Sequence, residues 1–266
     1  MRVLCLGPVL IRSGEREVAV HSSIRTRLLV ALVVNLGSVV SKDRLAQELW
    51  PRERPDNTVG ALQAHVSRLR RDLRRWCGSR LRVEPLHLGY RVVADGGAEV
   101  DIGEFEDLAV RAGRAVAADP ARALGLAHRA LALWRDEPFT GLDVGLEGQA
   151  ARIGLQETRW ELWETAFDAA LATGAADGVV ADIRRLLLAS PFRERFHAQL
   201  MVALYRAGRL AEALEAHRLA RALVIGELGV EPSRVLDDCV AAILRHDPRL
   251  WQDRPLNRLV ARRDPA

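Results

Sequence analysis

Residues 57–76 read NTVGALQAHVSRLRRDLRRW, and their spacing predicts one helix whose two faces differ in kind. Val59, Leu62, Val66, Leu69 and Leu73 recur at intervals of three and four, the stripe that a helix buries. Asp56 or Asn57 supplies the N-cap. At 100° per residue the opposite face carries Asn57, Gly60, Ala61, Ala64, Ser67, Arg68, Arg71 and Arg75, with His65, Arg70 and Arg74 on its flanks. That face is small at its front and basic at its back. Small side chains let a helix backbone approach base edges, and arginines reach guanine or the phosphates on either side. The pattern suits a recognition helix in a major groove. A solvated face on an arginine-rich protein is the alternative, but it gives no reason for small uncharged residues in front and no acids behind.

The segments before this helix read as a small sheet and two shorter helices. Val3 to Ile11 is apolar, Ser13-Gly14 is turn-like, and Glu17 to Val20 alternates, so short antiparallel strands are expected. Ser22 or Ser23 caps a first helix with Ile24, Leu28, Leu29, Leu32, Val33 and Leu36 at helical spacing, ending at Gly37. Ser41 opens SKDRLAQELW, a second helix with Leu45, Leu49 and Trp50 on one face, stopped by Pro51 and Pro55. After Gly78, LRVE, the break at Pro85 and GYRVV predict a hairpin, hence a wing. In it His87, Arg91 and the Tyr90 hydroxyl are placed to touch a DNA backbone or minor groove, while Tyr90 equally suits the core beneath the wing.

Charge is unevenly distributed. Residues 1–100 hold 17 Lys/Arg against 10 Asp/Glu, and residues 101–266 hold 22 against 25. Arg68 to Arg82 alone contains seven arginines and one acid, Asp72. A polyanionic partner for the first part follows, and the acidic balance of the second argues against its own contact with DNA. Lys42 is the single lysine among 39 basic residues; at the start of the second helix it is placed for a phosphate contact aided by the helix dipole.

The chain has 266 residues, 49% hydrophobic and 28% charged, the composition of one or two globular domains. Its longest nearly apolar run, Leu28 to Leu36, is far below the roughly 20 residues needed to span a bilayer, and the N-terminus lacks the pattern of a signal peptide. A cytoplasmic location without membrane partners is expected. Cys5, Cys77 and Cys239 are dispersed and suggest neither disulfide framework nor zinc site. The seven histidines show no metal-ligand spacing, and no phosphate-binding loop, dinucleotide fingerprint, zincin motif or nucleophile elbow occurs. Neither an enzyme nor a cofactor is expected.

The order of sheet, three helices and terminal hairpin, with LQAHVSRLRRDL followed by GYRVV, resembles the OmpR-type winged helix. More narrowly, RTRLLVALVVNLGSVVSKDRLAQELWP followed by LQAHVSRLRRDLRR resembles the Streptomyces antibiotic regulatory protein family, which joins this winged helix to a bacterial transcriptional activator domain. DIGEFEDL, ALALWRDEPF and the string from Pro191 to Ser233 resemble that second domain. Two features depart from the family: the wing tip reads EPLHLGYRVV where many relatives are proline-rich, and the tryptophan usual before the central helix is missing from GLEGQAARIGL.

The second half reads as helical on its own terms, with breaks at Pro120, Pro138, Gly174, Pro191, Gly208 and Pro232. Phe192 to Ala207 and Leu210 to Leu223, joined at Gly208, form a helical pair of the kind stacked in tetratricopeptide arrays. Such an array receives a peptide or helix on its concave face, or serves as a spacer or dimerisation surface. Trp134, Phe139, Trp160, Trp163 and Tyr205 are expected in the core. The fold class is therefore mainly α: a winged helix-turn-helix with a short antiparallel sheet and C-terminal hairpin over 1–96, an all-α repeat-like domain over 97–247, and a weakly ordered tail over 248–266.

The resemblance implies a transcriptional activator of a secondary-metabolite gene cluster that binds tandem direct repeats in double-stranded promoter DNA as side-by-side protomers and recruits RNA polymerase holoenzyme. Gln63, Ala64, Ser67 and Arg68 would read the groove, with His65 beside them. Arg70, Arg71, Arg74, Arg75, Lys42 and the wing residues His87, Tyr90 and Arg91 would meet the DNA backbone. The loop Pro51 to Asp56, which in the winged-helix family faces away from the groove floor, would meet polymerase or serve only as a connection. A promoter-occluding repressor and a protein–protein adaptor remain alternatives.

Overall fold

The computed structural model describes residues 1–251. It divides into two compact units, one of residues 1–108 and 129–159, the other of residues 109–128 and 160 onward. Among the described residues no helix is long and apolar enough to cross a membrane.

The first unit opens with strands β1 (Arg2–Leu4), β2 (Leu10–Ser13) and β3 (Arg16–Ala19), paired antiparallel with Val3 opposite Ile11 and Ile11 opposite Val18. A late strand joins them, because β7 (Glu99–Val100) runs parallel to β1 and makes the sheet order β3-β2-β1-β7. Ser23 caps α1 (Ile24–Val33) by accepting the Thr26 N–H. Leu28 to Val33 are all buried, so α1 lies inside the unit rather than across its surface. It ends at Val33, four residues before Gly37, because the following residues turn and Gly37 donates to the Val92 carbonyl.

Two residues unremarked by periodicity, Val40 and Ser41, form β4. β4 pairs with β6 (Gly89–Ala94), which pairs with β5 (Leu81–Pro85), giving a three-stranded sheet around the hairpin. Between these strands come α2 (Lys42–Leu49), capped by Ser41, and α3 (Thr58–Cys77), capped by Asn57 and ended at Gly78 with φ +64°.

Helix α4 (Asp101–Ala115) begins on a buried carboxylate. Asp101 accepts the backbone N–H of Cys5 at 2.7 and 2.8 Å and of Leu6 at 3.0 Å, with Arg135 at 3.9 Å. These donors and the cation oppose the burial that pushes its pKa up. α5 (Pro120–Leu131) follows, and then Phe139, fully buried at φ +62°, where its N–H reaches the Cys5 carbonyl at 3.0 Å. Trp134 is half-buried between the Phe105 ring and the Arg159 guanidinium, 4.4 Å from its centroid.

The second unit is helical: it takes the end of α4, most of α5 and the rest of α6 (Leu146–Ala172), then α7 (Ala176–Ala189), α8 (Glu194–Arg206), α9 (Leu210–Leu228) and α10 (Arg234–Leu244). Every residue of α8 from Phe196 to Tyr205 is buried, and α7, α9 and α10 pack around it. The expected pair is thus present, with its second helix five residues longer than the spacing indicated. Trp160 and Trp163 pack partly buried against this core through Phe196 and Phe167. Of the tail, Pro248–Trp251 is a 3-10 helix with Leu250 buried and its carbonyl held by Arg206, so order extends past 247. The remainder of the expected weakly ordered tail lies outside the described residues.

Candidate nucleic-acid interface

The apolar side of α3 is Leu62, Val66, Leu69, Leu73 and Cys77, all buried. Val59 is a correction to the expected stripe, being 55% exposed. It sits in the first turn, next to the exposed loop residues Pro51 to Arg54, Asp56 and Asn57. Cys77 takes the fifth position one turn beyond Leu73.

The opposite side matches the expected small-then-basic order. Gln63, Ala64, Ser67, Arg68, Arg71, Arg74 and Arg75 are exposed, and Gly60 and Ala61 are half-buried. Arg68, Arg71, Arg74 and Arg75 enter no ion pair among the described residues. The one acid of the helix, Asp72, is neutralised by Arg25 of α1 at 2.9 Å. The exposed face therefore presents net positive charge without an internal counterion, the electrostatic requirement for phosphate binding.

Arg70 and His65 have different surroundings. Arg70 is half-buried and its Nε donates to the Val83 carbonyl at 2.9 Å, tying α3 to β5 and leaving its terminal nitrogens for other acceptors. The His65 ring lies edge-on to Trp50 at 5.8 Å. Burial, followed by the charges of Arg68 and Arg25, pushes its pKa below the ordinary value, so it brings no charge to this face at neutral pH.

In the hairpin, Arg91 is paired with Glu84 at 2.8 Å, and Arg82 with Asp95 and Glu84. Tyr90 is 6% exposed and stands opposite Val40 and Pro85, so it packs beneath the wing rather than reaching outward. His87 is exposed at the tip. Lys42 donates its backbone N–H to the Leu88 carbonyl at 3.1 Å and its Nζ to the His87 carbonyl at 3.2 Å. Gly89 packs so closely on β4 that a Cβ there would lie 1.9 Å from the Val40 carbonyl oxygen. Lys42 and Gly89 together fix the tip against the start of α2.

Sequence reading missed the group that holds α2. Glu48, 1% exposed, sits on the start of α6: Glu147 donates its backbone N–H to it at 2.9 Å, and Gly145 packs against the carboxylate with no room for a side chain. Arg44 forms a fork with Glu147 at 2.9 and 2.7 Å, Asn35 donates to the same carboxylate at 3.1 Å, and Arg27 pairs with Asp143. Nothing in the local pattern SKDRLAQELW distinguishes Glu48 from a solvated acid, because its partners lie far along the chain.

Comparison with known proteins identifies both parts of the chain. Residues 100–244 match the bacterial transcriptional activator domain, and residues 16–91 match the C-terminal domain of transcriptional regulatory proteins. Transcriptional regulator RedD of Streptomyces coelicolor is 35% identical over 248 residues, spanning 92% of this chain and 71% of RedD. Regulatory protein AfsR of the same organism is 36% identical over 94% of this chain, which spans 25% of AfsR. The solved structure of Mycobacterium tuberculosis EmbR in complex with a low-affinity phosphopeptide superposes with a TM-score of 0.84 at 26% identity, over 93% of this chain and 65% of that one. The chain belongs to the Streptomyces antibiotic regulatory protein family of DNA-binding transcriptional regulators, an OmpR-type winged helix joined to a bacterial transcriptional activator domain.

Proposed function

We propose that this protein activates a secondary-metabolite gene cluster by binding tandem direct repeats near a promoter and retaining RNA polymerase holoenzyme there. The observation that carries the reading is the exposed, acid-free face of α3, with Arg68, Arg71, Arg74 and Arg75 behind Ala64 and Ser67. Gln63, Ala64, Ser67 and Arg68 read base edges, and Arg71, Arg74 and Arg75 set the register by neutralising phosphates. Arg70 contributes its terminal nitrogens while bracing β5, and Lys42, His87 and Arg91 act at the wing. Direct repeats place protomers head to tail, an arrangement that needs no two-fold axis.

Residues 1–96 are assigned to DNA binding and 97–247 to the activating domain, whose acidic balance and helical array suit a protein partner. The exposed loop Pro51 to Asp56 is the assigned polymerase contact, and the site of action is the cytoplasmic nucleoid. The test is binding to promoter DNA with intact or scrambled repeats across a salt series, with and without polymerase holoenzyme. Repeat-specific, salt-steep binding that retains polymerase supports the activator. Specific binding that blocks polymerase makes the protein an occluding repressor, and indifference to the repeats makes it an adaptor.

A further inference from the structure

The tip of the β5–β6 hairpin carries an apolar side chain that no core explains. Leu86 and Gly89 exchange backbone hydrogen bonds, Leu86 N–H to Gly89 O at 2.8 Å and Gly89 N–H to Leu86 O at 3.2 Å. His87 and Leu88 are thereby the two residues of a tight turn. Leu88 is 71% exposed and Leu86 36% exposed. A leucine so exposed contributes little to folding.

The backbone beneath it is nonetheless held firmly. Both turn carbonyls, of His87 and Leu88, accept from Lys42, and Gly89 has no room for a side chain against Val40. The arrangement is an exposed apolar point, Leu88, on a fixed two-residue turn shared with exposed His87, with the Lys42 ammonium group on the His87 carbonyl. A flat protein surface offers such a point few contacts. The gap between two base pairs in a minor groove offers a slot of its size and chemistry, flanked by phosphates for the lysine. Proteins that insert leucine or similar wedges there unstack the step and kink the duplex.

We propose that Leu88 is a specificity-determining wedge that enters the minor groove beside the site read by α3 and unstacks one flexible base step. The inference rests on the DNA-binding reading of α3. Its consequence is selection by deformability: pyrimidine–purine steps opposite the wing are favoured over stiff ones, without a hydrogen bond to any base. Leu86 flanks the wedge, and Lys42 holds the turn and contacts the adjacent phosphate.

The full chain is tested on a promoter fragment carrying a 2-aminopurine at the step opposite the wing, with bend angle read from circularly permuted fragments. The native protein is expected to bend its site by about 20–90° and to raise the 2-aminopurine fluorescence. Leu88→Ala is expected to abolish the fluorescence rise, reduce the bend and weaken binding roughly tenfold, the size of one lost base-pair contact. Leu88→Ile is expected to retain all three. A mismatch at the step, which lowers the unstacking cost in advance, is expected to recover most of the affinity lost by Leu88→Ala.

Unchanged bend and fluorescence in Leu88→Ala overturn the wedge. Loss confined to cooperativity between two repeats also overturns it and makes the tip a contact between protomers. Absence of any specific binding by the native chain removes the DNA reading itself, an outcome distinct from binding without a bend.

Discussion

Glu48, near the end of α2, accepts the backbone N–H of Glu147 at 2.9 Å, although the two residues are 99 positions apart in the chain. The contact puts a buried carboxylate on the open N-terminus of α6, where unpaired N–H groups and the helix dipole favour negative charge. Burial still outweighs those donors and pushes the Glu48 pKa up. The helix-turn-helix is thus braced by a segment that belongs, by sequence, to the activating half.

Glu48→Ala leaves the N–H group of Glu147 without its acceptor and is expected to cost about 1–3 kcal/mol. Glu48→Gln, which keeps an acceptor, is expected to cost less. Because the folded carboxyl binds its proton more tightly than the unfolded one, the native protein gains relative to Glu48→Gln as pH falls from neutrality towards 4.5. Urea midpoints of both proteins across that range provide the check; a gap that narrows on acidification would contradict it.

His65 titrates below its ordinary value of 6.5, since burial and two nearby guanidiniums disfavour its cation. The unfolded chain takes up this proton first, so the contribution to stability is present above pH 6.5 and is lost as pH falls through the depressed folded value. Proton NMR of the His65 ring reads the midpoint directly. Arg68→Ala removes one opposing charge and is expected to raise it.

Gly89→Ala drives a methyl group into the Val40 carbonyl and separates β4 from β6. A loss of about 1–3 kcal/mol is expected, together with faster amide exchange at Tyr90, which stands opposite Val40 of β4. Native-like exchange and melting in this variant would mean that β4 shifts without cost.

Arg68→Ala is expected to weaken operator binding by about 1–3 kcal/mol while sparing random DNA, if the guanidinium makes a two-pronged base contact. Arg75→Ala is expected to weaken both alike and to lower the salt slope by about one. Titrations of each variant on operator and random duplexes separate the two roles. Equal losses for Arg68→Ala would make it a phosphate contact.

What sequence made visible follows from how local each cause is. The α3 stripe from Leu62 to Leu73 and the face from Ala64 to Arg75 depend only on helical periodicity. Val59 broke that rule because exposure in a first turn is decided by which neighbours extend that far. β4 is two residues long, too short for any alternation, and exists because Gly89 lets β6 approach Val40. α1 is buried at every position from Leu28 to Val33, so its spacing could not show where it ends. Arg70 and Tyr90 lay on plausible DNA-facing positions, and only the packing of β5 and β6 shows one half-used and the other buried. The roles of Glu48 and Asp101 depend on partners about a hundred residues distant, beyond any local pattern.

The central claim is that the exposed face of α3 carries the interaction with DNA. Its most direct test is the affinity of the full chain for its promoter repeats, measured beside a variant with Arg68, Arg71, Arg74 and Arg75 all replaced by alanine, whose exposed positions leave the core intact. Loss of specific binding and a salt slope reduced by about three to four, with melting unchanged, is the predicted result. Retention of specific, salt-steep binding by that variant would place the DNA contact elsewhere on the molecule and contradict the account.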